Sequence, residues 1–245
     1  MQIVEVSVVG VRSAVLELTA RGTPLRFRFF PMVHVGEPAF YATVTDRLRR
    51  CDLVVAEGVG RPDDASGGSA AKAGRSPAMS VLTASYQLPA WFRRSGLVEQ
   101  DIPLAALGVP VRYPDMTARQ FATGWRAVPW WQRAVATVAS PLVGFDRLAF
   151  GSRRALAAGM ELSDTDWHDQ LADVDSMGEL MSLLGEQRDR LLISELDRIH
   201  REHRHDPITV GVVYGAAHVA PAIYGMRALH RYAPRGEEWL TVIGF

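Results

Sequence analysis

The chain has 245 residues, 48% hydrophobic and 22% charged, which is enough to bury a substantial core as one large domain and too apolar for wholesale disorder. Its 27 basic and 27 acidic side chains cancel, so no global field draws it to nucleic acid or to an anionic membrane, and any such partner has to be met by a local patch. The single cysteine, Cys51, opens an apolar run as a small buried hydrophobe would, and it excludes an internal disulfide and a multi-cysteine zinc site.

The opening stretch MQIVEVSVVGVRSAVLEL has no basic leader region, and Glu5, Arg12 and Glu17 interrupt its apolar run, so it does not read as a secretion signal and a cytoplasmic protein is expected. Residues 2 to 9, 13 to 19 and 25 to 33 are rich in Val, Leu and Phe and predict three strands, broken at Gly10 and at the RGTP of residues 21 to 24. The third delivers His34 at its C-terminal end. EPAFYATVTDRLRR follows, with Phe40, Val44 and Leu48 four apart, Pro38 in the first turn and arginines in the last, the pattern of a helix. DLVVAEG, residues 52 to 58, is a short buried strand ending on Glu57, which completes a strand–helix–strand unit of the parallel crossover kind.

Residues 61 to 78 form a polar, glycine-rich loop, expected to be mobile and to act as a lid over the strand ends. Residues 79 to 107 and 117 to 203 read mainly as helices, separated by the strand-like VPVRY before Asp115. Within residues 127 to 150, Arg133, Pro141 and Asp146 cut the apolar run into pieces too short to span a bilayer. Membrane-surface contact is not favoured by the neutral composition, although Trp130 and Trp131 leave an interfacial patch open. From about Ser176 to His203 an apolar stripe runs through Leu180, Leu183, Leu184, Leu191, Leu192, Leu196 and Ile199. The basic run at His200 to His205 reads as a solvated helix end and Trp167–His168 as surface. The chain closes with the strand PITVGVVYG, a helix with Pro221 in its early turns, and the strand EEWLTVIGF.

Residues 27 to 57 and 208 to 245 thus share one plan of strand, histidine, helix and strand. The expected fold is a single α/β domain. Its central mixed sheet is built from two duplicated halves, residues 1 to 60 and 207 to 245, with a large helical insertion at about 78 to 203. Ligand sites of parallel α/β sheets lie beyond the carboxyl ends of the strands, where His34, Glu57 and His218 would meet. The small residues Gly215, Ala216 and Ala217 allow a sharp turn from strand to helix and leave space before the imidazole. Two histidines and a carboxylate suit a divalent cation with open positions for water, which such a metal would acidify for hydrolysis. A lone histidine after a strand is ordinarily a capping or hydrogen-bonded residue; the repeated context argues for a site. No Gly-x-Ser-x-Gly elbow, dinucleotide fingerprint or phosphate loop is present.

The stretches FFPMVHVGEPAFYATVTDRLRRCDLVVAEGVGRP and GEQRDRLLISELDRIHREHRHDPITVGVVYGAAHVAPAIYGMRAL resemble the TraB/PrgY and Tiki group, within a wider superfamily that includes erythromycin esterases and ChaN-like haem-binding proteins. The matching features are His34, the Glu57–Gly58 pair, the Arg188–Asp189 pair, the ending from Gly215 to His218, and an aspartate after a short middle strand, Asp115. Where the group usually has Gly-x-x-His in its first half, this chain has Pro31-Met32-Val33-His34, so the first turn cannot copy the second.

The resemblance implies metal-dependent peptidase activity, metal-independent ester hydrolysis, or ligand binding, according to branch. The leading expectation is a hydrolase of peptide or ester bonds. His34, Glu57 and His218 would hold Mn, Co or Zn, or one histidine would act as general base; Arg188 would steady the oxyanion and Asp115 would orient a histidine or the water. The alternatives are a non-catalytic protein that captures a peptide, haem or another small ligand, and a membrane-surface adaptor.

Overall fold

The computed structural model describes residues 1–58, 96–135, 153, 160, 162–163 and 178–245. Strands β1 (Gln2–Ser7) and β2 (Gly10–Thr19) form an antiparallel hairpin, and β3 (Arg26–Met32) returns antiparallel to β2. The short β4 (Val35–Gly36) leads into α1 (Pro38–Leu48) and then β5 (Leu53–Ala56). Pro38 opens α1, where its missing N–H costs nothing, and Phe40, Tyr41, Val44, Thr45 and Leu48 form the buried stripe that lays the helix on the sheet.

After β6 (Val98–Glu99) and β7 (Val111–Arg112) comes α2 (Ala118–Ala127). Thr117 caps it: its hydroxyl accepts from Gln120 N while the Gln120 side chain accepts from Thr117 N. β8 (Leu162–Ser163) pairs with β1. The long helical run is α3 (Gly178–Met181), a π-helical stretch Ser182–Glu186, and α4 (Gln187–His203). β9 (Thr209–Gly215), a 3₁₀ turn at Ala216–His218, α5 (Val219–His230) and β10 (Ala233–Gly244) complete the order.

The main sheet runs β7-β5-β9-β3-β2-β1-β8, with β10 also paired to β2. Its β7-β5-β9-β3 half is parallel and the remainder antiparallel, the mixed α/β sheet expected. β3 and β5 do not touch, since β9 lies between them and pairs with both. The inner parallel strands read as nearly unbroken apolar runs because both their faces are covered. All four residues of β5 are buried, as are Val210 to Tyr214 of β9, with no alternation between inward and outward positions.

The two strand–helix–strand units differ in where their closing strand goes. β5 enters beside β9, whereas β10 lies antiparallel along the whole of β2. The sequence predicts helix over residues 79 to 107, but the described part from residue 96 onward holds only β6 and a 3₁₀ turn, Leu104–Ala106. Gly96, Pro103, Gly108 and Pro110 punctuate this stretch too often for an α-helix. The glycine-rich loop at 61 to 78 and Trp167–His168 lie outside the described residues. Among the described residues no helix is long and apolar enough to cross a membrane.

Candidate functional site

Three parallel strands deliver side chains to one edge of the sheet. Glu57 and Gly58 follow β5, Asp115 follows β7, and the 3₁₀ turn after β9 ends on His218. α4 supplies Arg188 and Asp189 from its first turn, immediately after the π-helical stretch, a local irregularity often found at functional positions.

Arg188 is the hub. Its Nε donates to Asp115 Oδ1 at 3.0 Å and its Nη2 to Asp115 Oδ2 at 2.7 Å, a two-pronged grip on a carboxylate whose side chain is 0% exposed. Nη2 also donates to Glu57 Oε1 at 2.5 Å, and Nη1 faces His218 Nε2 at 3.3 Å. The backbone completes the frame: Gly215 N donates to Glu57 Oε2 at 2.8 Å, Gly58 N to Asp115 Oδ2 at 3.2 Å, and Met116 N to Asp115 Oδ1 at 2.8 Å. Gly215 sits close under this group: a Cβ there would be tight against Glu57 Oε2 at 3.2 Å and in ordinary contact with His218 Cδ2 at 3.6 Å.

His218 is buried and held on both sides. Its Nδ1 lies 2.7 Å from Asp189 Oδ1, and the Tyr214 ring meets it edge-on at 5.9 Å. A guanidinium can only donate, so Nε2 is the acceptor facing Arg188 and Nδ1 carries the proton given to Asp189. The result is a carboxylate–imidazole pair whose basic nitrogen points at a fixed cation.

The charges explain one another. Burial alone would push the Glu57 carboxyl up, but the charge of Arg188 and the hydrogen bonds from Arg188 and Gly215 outweigh it and hold the group at about 2. Burial works against the Arg188 charge as well. The hydrogen bond to Asp115 and the fields of Glu57 and Asp115 prevail, leaving the guanidinium more firmly protonated than usual. Tyr214, which donates to Pro114 O, is pushed up chiefly by burial and then by the Asp115 charge.

No protein-family model, no curated protein and no solved structure matches this chain.

Of the residues singled out in the sequence, the structure brings Glu57, Asp115, Arg188 and His218 into one hydrogen-bonded group. His34 follows β3 on the same edge, since Met32 is paired with Gly215. It is exposed, and its carbonyl accepts from Gln100 N at 2.8 Å, while the bonds described above that tie the group together run through Arg188. The donors of the His34, Glu57 and His218 trio do not, as arranged, fit a divalent cation. Both Glu57 oxygens are taken, by Arg188 and by Gly215 N, and His218 Nε2 faces a guanidinium, so a metal would have to displace Arg188.

Asp189 was legible only as half of the Arg-Asp pair, because on a helix with Glu186 and Arg190 it looks like one more solvated charge. The run at His200 to His205 is the solvated helix end expected, with Arg201, Glu202, Arg204 and His205 exposed, and its first histidine is tied down. His200 stacks on His230 at 3.8 Å and contacts the Tyr232 hydroxyl at 3.1 Å through Nδ1, while His230 Nε2 binds Asp197 at 2.7 Å.

Proposed function

We propose that this chain is a cytoplasmic hydrolase of ester or peptide bonds that works through a histidine-activated water. The observation that carries the reading is the Asp189–His218 pair set against Arg188 Nη1. Asp189 fixes the imidazole tautomer so that Nε2 is the base. Arg188 has Nε and Nη2 committed to carboxylates, which leaves Nη1 as the edge of the guanidinium available to substrate. A contact of 3.3 Å at that edge is long for a charged hydrogen bond and is readily exchanged for water and a substrate carbonyl.

In the reaction, Nε2 takes a proton from water as its oxygen attacks the carbonyl carbon. The carbonyl electron pair moves to oxygen, and Nη1 donates to the charge that develops there. Collapse of the adduct breaks the bond to the leaving alcohol or amine, which receives the proton from Nε2. In the reaction Glu57 and Asp115 act through Arg188: they hold the guanidinium in place so that it need not reorganise as charge appears. The motif resemblance to the TraB/PrgY and Tiki group agrees with hydrolysis, and the geometry favours its metal-independent form.

The test uses tag-free protein, panels of chromogenic esters and peptides, and His218→Ala with its far-UV spectrum checked. Turnover that persists in chelator and disappears in His218→Ala is expected. Absence of turnover on every panel, or turnover that His218→Ala retains, overturns the reading in favour of capture of a peptide, haem or other small ligand. Loss on chelation with recovery on adding Mn, Co or Zn overturns the metal-free mechanism.

A further inference from the structure

Residues 119 to 135 keep one amphipathic period across the Val128–Pro129 break between α2 and the helical residues 130–135. The inward positions are committed. Phe121, Val128 and Gln132 are buried; Gly124 lets Leu183 close in; Gln132 Nε2 donates to Glu179 at 2.6 Å and its Oε1 accepts from Leu180 N at 3.1 Å. The opposite face therefore cannot rotate inward to hide. It presents Arg119, Thr123 and Arg126, and then Trp130, Trp131, Ala134 and Val135, all exposed. Trp130 is 74% exposed, Trp131 39% and Val135 48%, which places two of the largest apolar side chains in water side by side.

The charge along this segment of sequence has one sign. From Met116 to Phe145 the sequence holds Arg119, Arg126 and Arg133 and no carboxylate. Arg119 and Arg126 make no ion pair among the described residues, and Glu179 is bound by the inward Gln132. In a chain whose total charge is zero, such a basic strip beside paired tryptophans is a local departure from the average. We propose that this face docks on an anionic phospholipid surface. Indole rings sit at the headgroup level, with an apolar body and one N–H donor, and arginines on the adjoining turns meet the lipid phosphates. The exposed side of a helix is a convex ridge that enters between headgroups and offers no cleft to a peptide.

Co-sedimentation of the whole chain with vesicles tests this, using phosphatidylcholine alone and phosphatidylcholine mixed with phosphatidylglycerol. Binding to the mixed vesicles, weaker binding to the neutral ones, and release by added salt are expected. Arg119→Glu with Arg126→Glu should weaken binding about tenfold or more. Trp130→Ala with Trp131→Ala should do likewise and remove the blue shift of tryptophan emission. Each variant sits on an exposed face, and equal thermal melts would establish that it folds. No pelleting with anionic vesicles at low salt overturns the proposal, as does equal binding by folded variants. Self-association that the tryptophan variant abolishes, without vesicle binding, also overturns it and assigns the face to a second copy of the chain.

Discussion

Glu57→Gln isolates the contribution of one charge to the fold. The carboxyl is held at about 2 against an ordinary 4.5, with both oxygens engaged and Arg188 beside it. A folded-state value below the unfolded one gives stability that is fully present above the unfolded value and is lost as pH falls through the folded one. At about 1.4 kcal/mol per pH unit, the difference corresponds to roughly 3 kcal/mol at neutral pH. Glutamine keeps the shape and one acceptor but has no charge for Arg188, so it should lose most of this. Urea unfolding of both proteins should therefore differ by about 3 kcal/mol near pH 7, and by less than half of that near pH 3, where the stabilisation is already being lost. A gap that stays constant between those two pH values would refute the reasoning, because it would mean that the cost lies in packing and not in the charge.

Removing Arg188 should be more severe, because Arg188→Ala leaves the fully covered Asp115 without its cation. A loss of about 3–5 kcal/mol in urea melts is expected, with partial recovery on adding Asp115→Asn. Asp189→Asn should lower turnover by roughly 10²–10⁴-fold, with thermal stability much less affected, because it disturbs the tautomer of His218; a matched fall in stability and rate would contradict an orienting role. Gly225→Ala puts a methyl group 2.8 Å from Ile193 Cδ1, where α5 crosses α4. It should cost about 1–3 kcal/mol by denaturation and also slow turnover, since α4 carries Arg188 and Asp189 to the strand ends.

The parallel strands were legible because burial on both faces writes itself as continuous apolar runs, as in LVVA of β5 and VGVVY of β9. The predicted helix stripe is buried at Leu180, Leu183, Leu192, Leu196 and Ile199, whereas Leu191 lies exposed one step off that face. β4 and β6 could not be read, since two residues carry no periodicity and their pairing is set by what surrounds them. At the site, His218 and Glu57 announced themselves as polar residues ending buried strands. What joins them did not, because Arg188 reaches Glu57 across 131 residues of sequence and Asp189 reaches His218 across 29, and local pattern says nothing about such distances. The sequence also suggested a shared metal among carboxylate and imidazole donors where the structure sets a guanidinium in their midst.

The position of β9 bears on how the chain emerges from the ribosome. β3 and β5 are made early, yet they are joined into one sheet only when residues Thr209–Gly215 arrive between them, and Thr209 N donates to Asp52 across 157 residues. Until then each of these apolar strands has an open edge on the side that β9 will fill, and Glu57 lacks the amide of Gly215. Assembly of the sheet therefore waits on a late wedge driven into an open slot, and that same insertion carries Gly215 and His218 to the site. A chain that stops before β9 would leave the facing edges of β3 and β5 uncovered, the kind of exposed strand edge that invites pairing with other chains.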